Sequence, residues 1–298
     1  MEAASVSAAR VARRRRRRRR IMRPLEFMSL PTAILVVLFL VPMVILGVIS
    51  FEYGPFSAKS GFTVTNYTKI VDTSLYAHIA LTTVEIATIA MLVQLVVGIP
   101  VAYVLAFKAR RLEFPLLLFL VLADELNPMV RLYAWRMLLG REGLINSGLQ
   151  SVGAINQPID VLLFSKFAVI VVLATSYLTY TIIPIYASMK AVDPRLFEAA
   201  RDLGASWFHT FRRVLMPLIM PGIFVALLLV YLPLFTDFAS PTLVGGTNGY
   251  MLGQVVQDFV LENGDLGGGS ALSFMLLAAS AIFAIIVYRI GKINRLEA

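Results

Sequence analysis

The apolar positions of this chain fall into long unbroken runs, not into alternating or one-sided stripes. Six stretches stand out, at about 29–51, 77–107, from 114 onward, 167–189, 214–237 and 271–288. A helix needs roughly 20 apolar residues to cross about 30 Å of hydrocarbon, and most of the six are of that order. The third is purely apolar only over 114–123, after which Asp124 and Glu125 interrupt it. The pattern predicts an all-α integral membrane protein of about six transmembrane helices, with one membrane domain over 27–298. The first run, 27–51, exceeds the apolar region of a signal peptide, about 7–15 residues, and Val48-Ile49-Ser50 offers no small-x-small cleavage site. It is expected to stay in the protein as a span.

The polar segments between the runs predict an orientation. If the N-terminus is cytoplasmic, the cytoplasmic segments carry 21 of the 27 Lys and Arg residues. That bias places both termini inside, in a multi-pass protein of the bacterial inner membrane. Segment 1–26 is strongly basic, with eight consecutive arginines at 13–20. Its low apolar content predicts disorder, and its charge predicts retention in the cytoplasm and contact with anionic lipid headgroups. Because this run supplies most of the net charge of +9, no nucleic-acid partner is predicted.

Composition adds exclusions. Hydrophobic residues make up 58% and charged residues 15%, against roughly 45–50% and 25% in soluble domains. The mean hydropathy is +0.79. There is no cysteine, which excludes disulfides, thiolate nucleophiles and Cys-ligated metals. The two histidines, His78 and His209, are far apart, and no metal site is expected. Two Gly-rich stretches, 245–249 and 264–269, are expected to be flexible external loops. The second lacks the Gly-Lys-Ser/Thr ending of a phosphate loop, which occurs nowhere in the chain. No nucleotide site, bound cofactor or enzymatic activity is therefore predicted, and neither a Ser/His/Asp set nor a Gly-x-Ser-x-Gly elbow is present.

The cytoplasmic stretch between the fourth and fifth runs is punctuated like a short helix. Asp193 suits an N-cap, Pro194 the first helical position and Gly204 the left-handed position beyond the end. Ser206 is placed to cap a second helix running through Phe211. Within this segment Glu198-Ala199-Ala200 is followed after three residues by Gly204, nine residues later by Val214, and after one more by Met216-Pro217. This spacing resembles the EAA loop of permease subunits of binding-protein-dependent ABC importers, with Val in place of Ile and Met in place of Leu. Further segments, Val130-Arg131-Leu132-Tyr133-Ala134-Trp135, Met216-Pro217-Leu218-Ile219-Met220-Pro221-Gly222 and Thr242-Leu243-Val244-Gly245-Gly246, resemble the first permease of spermidine/putrescine importers. The segment Ala123-Asp124-Glu125-Leu126-Asn127-Pro128 departs from that pattern.

The resemblance implies a type I, methionine-importer-like permease fold, with an EAA coupling loop at about 190–217. In it Glu198, Ala199, Ala200, Asp202 and Gly204 would engage an ATP-binding subunit dimer. ATP and Mg would sit on those partner subunits. The other partners implied are a second homologous permease, giving a heterodimer, a periplasmic or lipid-anchored solute-binding protein, and the membrane lipids. The cargo implied is a small organic cation such as spermidine or putrescine. An opine, an amino-acid derivative, thiamine or iron stays open, as does an ion-coupled transporter.

Ionisable groups at membrane depth usually face a cavity or a partner. Asp124, Glu125 and Asp237 are the candidates for a pathway, with Glu85 as a further one. The alternative is that the first two pair with Arg131 and Arg136. Tyr133 and Trp135 lie near the expected outer face. They could form an aromatic cage for ammonium groups or belong to the interfacial aromatic belt.

Overall fold

The computed structural model describes residues 31–52, 61–109 and 111–296. The basic segment 1–26 lies outside the described residues. The described residues are mostly helical, and β structure among them is limited to one isolated bridge between Glu52 and Phe62. Helix α1 spans Pro31–Ile49. It is followed by α2 (Thr65–Asp72), α3 (Ser74–Tyr103), α4 (Glu113–Asp124), α5 (Pro128–Leu139), α6 (Leu144–Ser151), α7 (Lys166–Ser176) and α8 (Leu178–Lys190). The remainder are α9 (Arg195–Asp202), α10 (Trp207–Thr210), α11 (Met216–Thr236), α12 (Leu252–Gln257) and α13 (Leu266–Leu296).

Among the described residues, four continuous helices are long and apolar enough to cross a membrane: Pro31–Ile49, Ser74–Lys108, Trp207–Thr236 and Leu266–Gly291. The second and third each contain a wide π turn, at Val104–Lys108 and Phe211–Leu215. Three of them run past the boundaries expected from the apolar runs. Amphipathic ends such as Trp207–Thr210 continue the helix into polar surroundings, which hydropathy alone does not register.

The other two expected spans are broken: the third where Asp124 and Glu125 interrupt its apolar run, and the fourth contrary to its reading as a single segment. The fourth bends by 45° between α7 and α8. Tyr177 leaves helical geometry there, at φ −118° and ψ 18°. The hydroxyls of Thr175 and Ser176 bond back to Val171 O and Val172 O at 3.0 and 2.8 Å, an arrangement that bends helices. The third span stops at Asp124 and restarts at Pro128, where Asn127 caps α5 by accepting from Met129 N–H at 2.9 Å.

Two buried apolar clusters hold the bundle together. One gathers α3, α5, α7, α12, α13 and the later part of α11, with Ile86, Leu173, Leu234 and Met251 at its centre. The other lies toward the α9 end and joins α3, α8 and the start of α11 through Leu105, Ile182, Met189 and Ile219. Between them Gln94 of α3, fully buried, donates to Leu173 O at 2.9 Å and accepts from Thr181 Oγ1–H at 2.7 Å. Leu173 O belongs to the last turn before the bend. A carbonyl freed in an apolar interior costs several kcal/mol unless it is paired, so Gln94 stabilises the break.

The two Gly-rich stretches are packed, contrary to the expectation of flexible loops. Residues 245–249 lie against α7, where a Cβ on Gly249 would come within 2.9 Å of Val169. Gly267, Gly268 and Gly269 form the first turn of α13, capped by Asp265, whose Oδ1 accepts from Gly268 N–H at 2.9 Å. There a Cβ would meet Asn66 at 2.9 Å, Phe259 at 3.0 Å or Val260 at 2.6 Å. The glycines are there because neighbouring segments approach closely.

Two spans approach closely at Gly222 of α11. A side chain there would place its Cβ 2.4 Å from Ser188 Oγ and 2.6 Å from Pro184 O of α8. Overpacking of this kind costs about 1–3 kcal/mol. Gly222→Leu is therefore expected to lower the thermal midpoint of the detergent-solubilised protein, measured by tryptophan fluorescence. An unchanged midpoint would show that α8 and α11 separate at no cost.

Candidate functional site

The segment singled out by its spacing forms α9, a two-turn helix fixed at both ends. The Asp193 carboxylate accepts from Arg195 N–H at 2.9 Å, so Asp193 acts as the cap and Pro194, at φ −57° and ψ −24°, as the first helical residue. A cap of this kind is worth about 1 kcal/mol. At the other end Gly204 sits at φ +77°. Its N–H donates to Arg201 O at 2.8 Å and the Ala205 N–H donates to Ala200 O at 3.0 Å. These paired bonds close the last turn and satisfy its free carbonyls. No atom lies within 4 Å of a Cβ built on Gly204, so the angle, not the space, demands glycine. Ser206 then caps α10 by accepting from His209 N–H at 3.3 Å, and α10 runs without a break through the π turn into α11.

None of the α9 residues is buried. Glu198, Ala199 and Asp202 are exposed, Ala200 is half-buried, and Leu203 just beyond the helix is 88% exposed. Leu196, Trp207 and Phe208 of the same loop are likewise exposed apolar residues. α9 and α10 touch the bundle through aromatic rings. Phe197 meets Phe107 edge-on at 5.3 Å, and Trp207 meets Tyr103 edge-on at 6.3 Å. A cavity of about 880 Å³ lies between α9 and the ends of the long helices, with Glu198 and Arg201 among its walls.

A second cavity, of about 450 Å³, lies where the two broken spans meet the end of α11. It brings Asp124 and Asp237 together, with Arg131, Tyr177 and Tyr180. Asp237 follows the last residue of α11 and accepts from Ser240 N–H at 2.8 Å and Ser240 Oγ–H at 3.1 Å, with the Tyr177 hydroxyl at 3.5 Å. Among the described residues no cationic side chain lies within ion-pairing distance of Asp237. Asp124 pairs with Arg131 at 3.3 Å.

The remaining pathway candidates stand elsewhere. Glu125 is exposed and lines neither cavity. Tyr133 is exposed on α5, and Trp135 packs half-buried against the first apolar cluster. Both lie apart from the Asp124–Asp237 cavity, because α5 starts at Pro128 and presents Arg131 and Leu132 to it instead. Arg136 stacks over the Phe164 ring at 5.6 Å and leaves Glu125 alone. Glu85 pairs with Lys166 at 2.7 Å. The two tyrosines that line the cavity, Tyr177 and Tyr180, were not among the sequence candidates, and neither was Phe238 beside them. The one local signal for the tyrosines was the Thr175-Ser176 pair at the bend.

The family described as "Binding-protein-dependent transport system inner membrane component" matches residues 3–294. The spermidine/putrescine transport system permease protein PotB of Escherichia coli is 36% identical over 236 residues, covering 79% of this chain and 85% of that protein. Its counterpart from Haemophilus influenzae is 36% identical over 232 residues, covering 78% and 80%. Among solved structures, a bacterial alginate ABC transporter in complex with an alginate pentasaccharide-bound periplasmic protein superposes with a TM-score of 0.73 at 16% identity. That match covers 88% of this chain and 92% of the other, and it shares the fold.

The α9 geometry carries a direct check. Gly204→Ala leaves the surrounding space free but forces a side chain into the left-handed region, at a cost of order 1–3 kcal/mol. Amide hydrogen exchange over 196–205 is expected to accelerate in that variant and to stay unchanged over α6 in a Gly148→Ala control. Identical exchange over 196–205 would mean that the closing turn contributes no rigidity.

Proposed function

Since the chain belongs to the binding-protein-dependent transport system inner membrane components, we propose that it is the permease subunit through which an ATP-driven importer moves a small organic cation of the spermidine/putrescine class. ATP hydrolysis then takes place on separate subunits. The observation that carries the coupling is α9, which is closed at both ends by hydrogen bonds and left exposed on its outer side.

A short helix that cannot fray transmits a push as a rigid body. Its outer side offers small Ala199 and the exposed Leu203 to a docking ATPase, and the exposed Glu198 carboxylate stands at the mouth of the cavity beneath the helix. On its inner side Phe197 bears on Phe107 at the end of α3, and the Ser206 cap joins it to the continuous helix of 30 residues, Trp207–Thr236. That helix is about 45 Å long and ends beside Asp237. Displacement of α9 by closing ATPase subunits therefore moves both the wall and the carboxylate of the far cavity, and access alternates by rigid-body rocking.

The cargo class rests on the names of the relatives and on charge. The cavity offers two carboxylates and two tyrosines, and carboxylates with aromatic faces attract ammonium groups. In this reading the α9 loop and both termini face the cytoplasm, the orientation that the basic residues favour. The cavity then opens toward the solute-binding protein. The α1 window is 0% buried and α4 buries no residue. Those apolar faces are left for lipid and for a second permease subunit that completes the pathway.

Gly204→Trp and Glu198→Lys are expected to leave insertion in the membrane intact, to reduce co-purification of the ATPase subunits, and to lower ATP-driven putrescine uptake into vesicles at least tenfold. Normal uptake by Gly204→Trp would overturn the coupling role of α9.

A further inference from the structure

One guanidinium touches four acceptors across both helix breaks. Arg131 Nη1 donates to Asp124 Oδ1 at 3.3 Å and to Ser176 O at 3.0 Å, and Nη2 donates to Ala123 O at 3.2 Å and to Asp124 O at 2.7 Å. Ala123 and Asp124 end α4, and Ser176 ends α7. The planar fork of Arg reaches these separate acceptors at once, which a lysine ammonium on its flexible stem does less well. The carbonyls would otherwise be left open at membrane depth.

Among the described residues, Arg131 is also the single positive group in the wall of the cavity, and Asp124 and Asp237 are the only acidic ones. The formal charge of the wall is therefore −1. A pathway must bind its cargo well enough to admit it and weakly enough to release it. Two bare carboxylates around a cavity of about 450 Å³ would hold a diamine at both ends. With Arg131 on Asp124, only Asp237 is open to an ammonium group.

We propose that Arg131 is a tethered counter-cation that sets the charge of the cavity at −1, so that a polyamine is held by one carboxylate at a time and passes instead of being trapped. Arg131 is thus a specificity-determining and positioning residue, and its role rests on the cationic-cargo reading above. The same guanidinium makes the two helix breaks into one mechanical joint. A cargo ammonium that reaches Asp124 competes with Arg131 and loosens that joint.

The test uses the assembled transporter of both permease and ATPase subunits. Labelled putrescine binding is measured in detergent without the solute-binding protein, and ATP-driven uptake is measured in proteoliposomes with it. Arg131→Gln is expected to bind putrescine about tenfold more tightly and to turn over more slowly. The double variant Asp124→Asn/Arg131→Gln, which restores −1, should return both values to within about threefold of the parent. A purely structural arginine would give no tightening. If Arg131→Gln does not assemble, the double variant, which removes the charge pair together, and Arg131→Lys, which keeps the charge and loses the fork, decide. Parent-like binding in both supports the proposal, and binding tenfold weaker in Arg131→Lys overturns it. Parent binding that is lost in Asp237→Asn, with no tightening in Arg131→Gln, overturns the counter-cation role and leaves the cargo reading standing. No binding to the parent or to Arg131→Gln overturns the cargo reading and the inference with it.

Discussion

A helix that breaks inside a bilayer must find partners for the backbone groups it frees, because lipid supplies none. This chain breaks two of its spans, after Asp124 and at Tyr177, and the rest of the architecture is arranged around that cost. Gln94 reaches from α3 to Leu173 O and Arg131 reaches from α5 to Ser176 O. Each is the side chain of a neighbouring helix serving a carbonyl that a regular turn would have used. The benefit is geometric, since two offset half-helices enclose a cavity at the end of α11 where straight spans would close on one another.

The two ends of the molecule are linked by one element. The helix Trp207–Thr236 begins beside α9, among the rings of Tyr103 and Phe211, and ends at Asp237. Gly222 seats it directly on the backbone of α8, next to Pro184. A movement imposed on α9 thus has a rigid path to the cavity and a close-packed neighbour to carry along. The aromatic contact Phe197–Phe107 gives α9 a second bearing, on the end of α3, where Trp207 of α10 also meets Tyr103.

What was legible in the sequence was local. Asp193, Pro194, Gly204 and Ser206 act within a few residues of themselves, so their types and spacing are enough to place α9 and its caps. The apolar runs likewise mark the continuous spans, because hydropathy needs no partner. The site depends on contacts over long separations. Thr181 meets Gln94 across 87 positions, Arg131 meets Ser176 across 45 and Tyr177 approaches Asp237 across 60. No local pattern gives these pairs, and Tyr177 and Tyr180 therefore went unmarked. Tyr133 and Trp135 were marked by their place near the expected outer face, yet the restart of α5 at Pro128 turns them away from the cavity. Gly267, Gly268 and Gly269 read as loop because glycine disfavours helices, and the packing of Asn66, Phe259 and Val260 against them overrides that preference.

The central claim is that α9 and the Asp124–Asp237 cavity are two ends of one moving part. The chain has no cysteine, so a single Tyr180→Cys substitution places one reporter thiol in the cavity wall. Its rate of reaction with a membrane-impermeant maleimide, applied from the solute-binding-protein side of the assembled transporter, should change at least tenfold when ATP is trapped on the ATPase subunits. The change should vanish when Gly204→Trp is added. An equal change in the presence of Gly204→Trp, or none in its absence, would contradict the account.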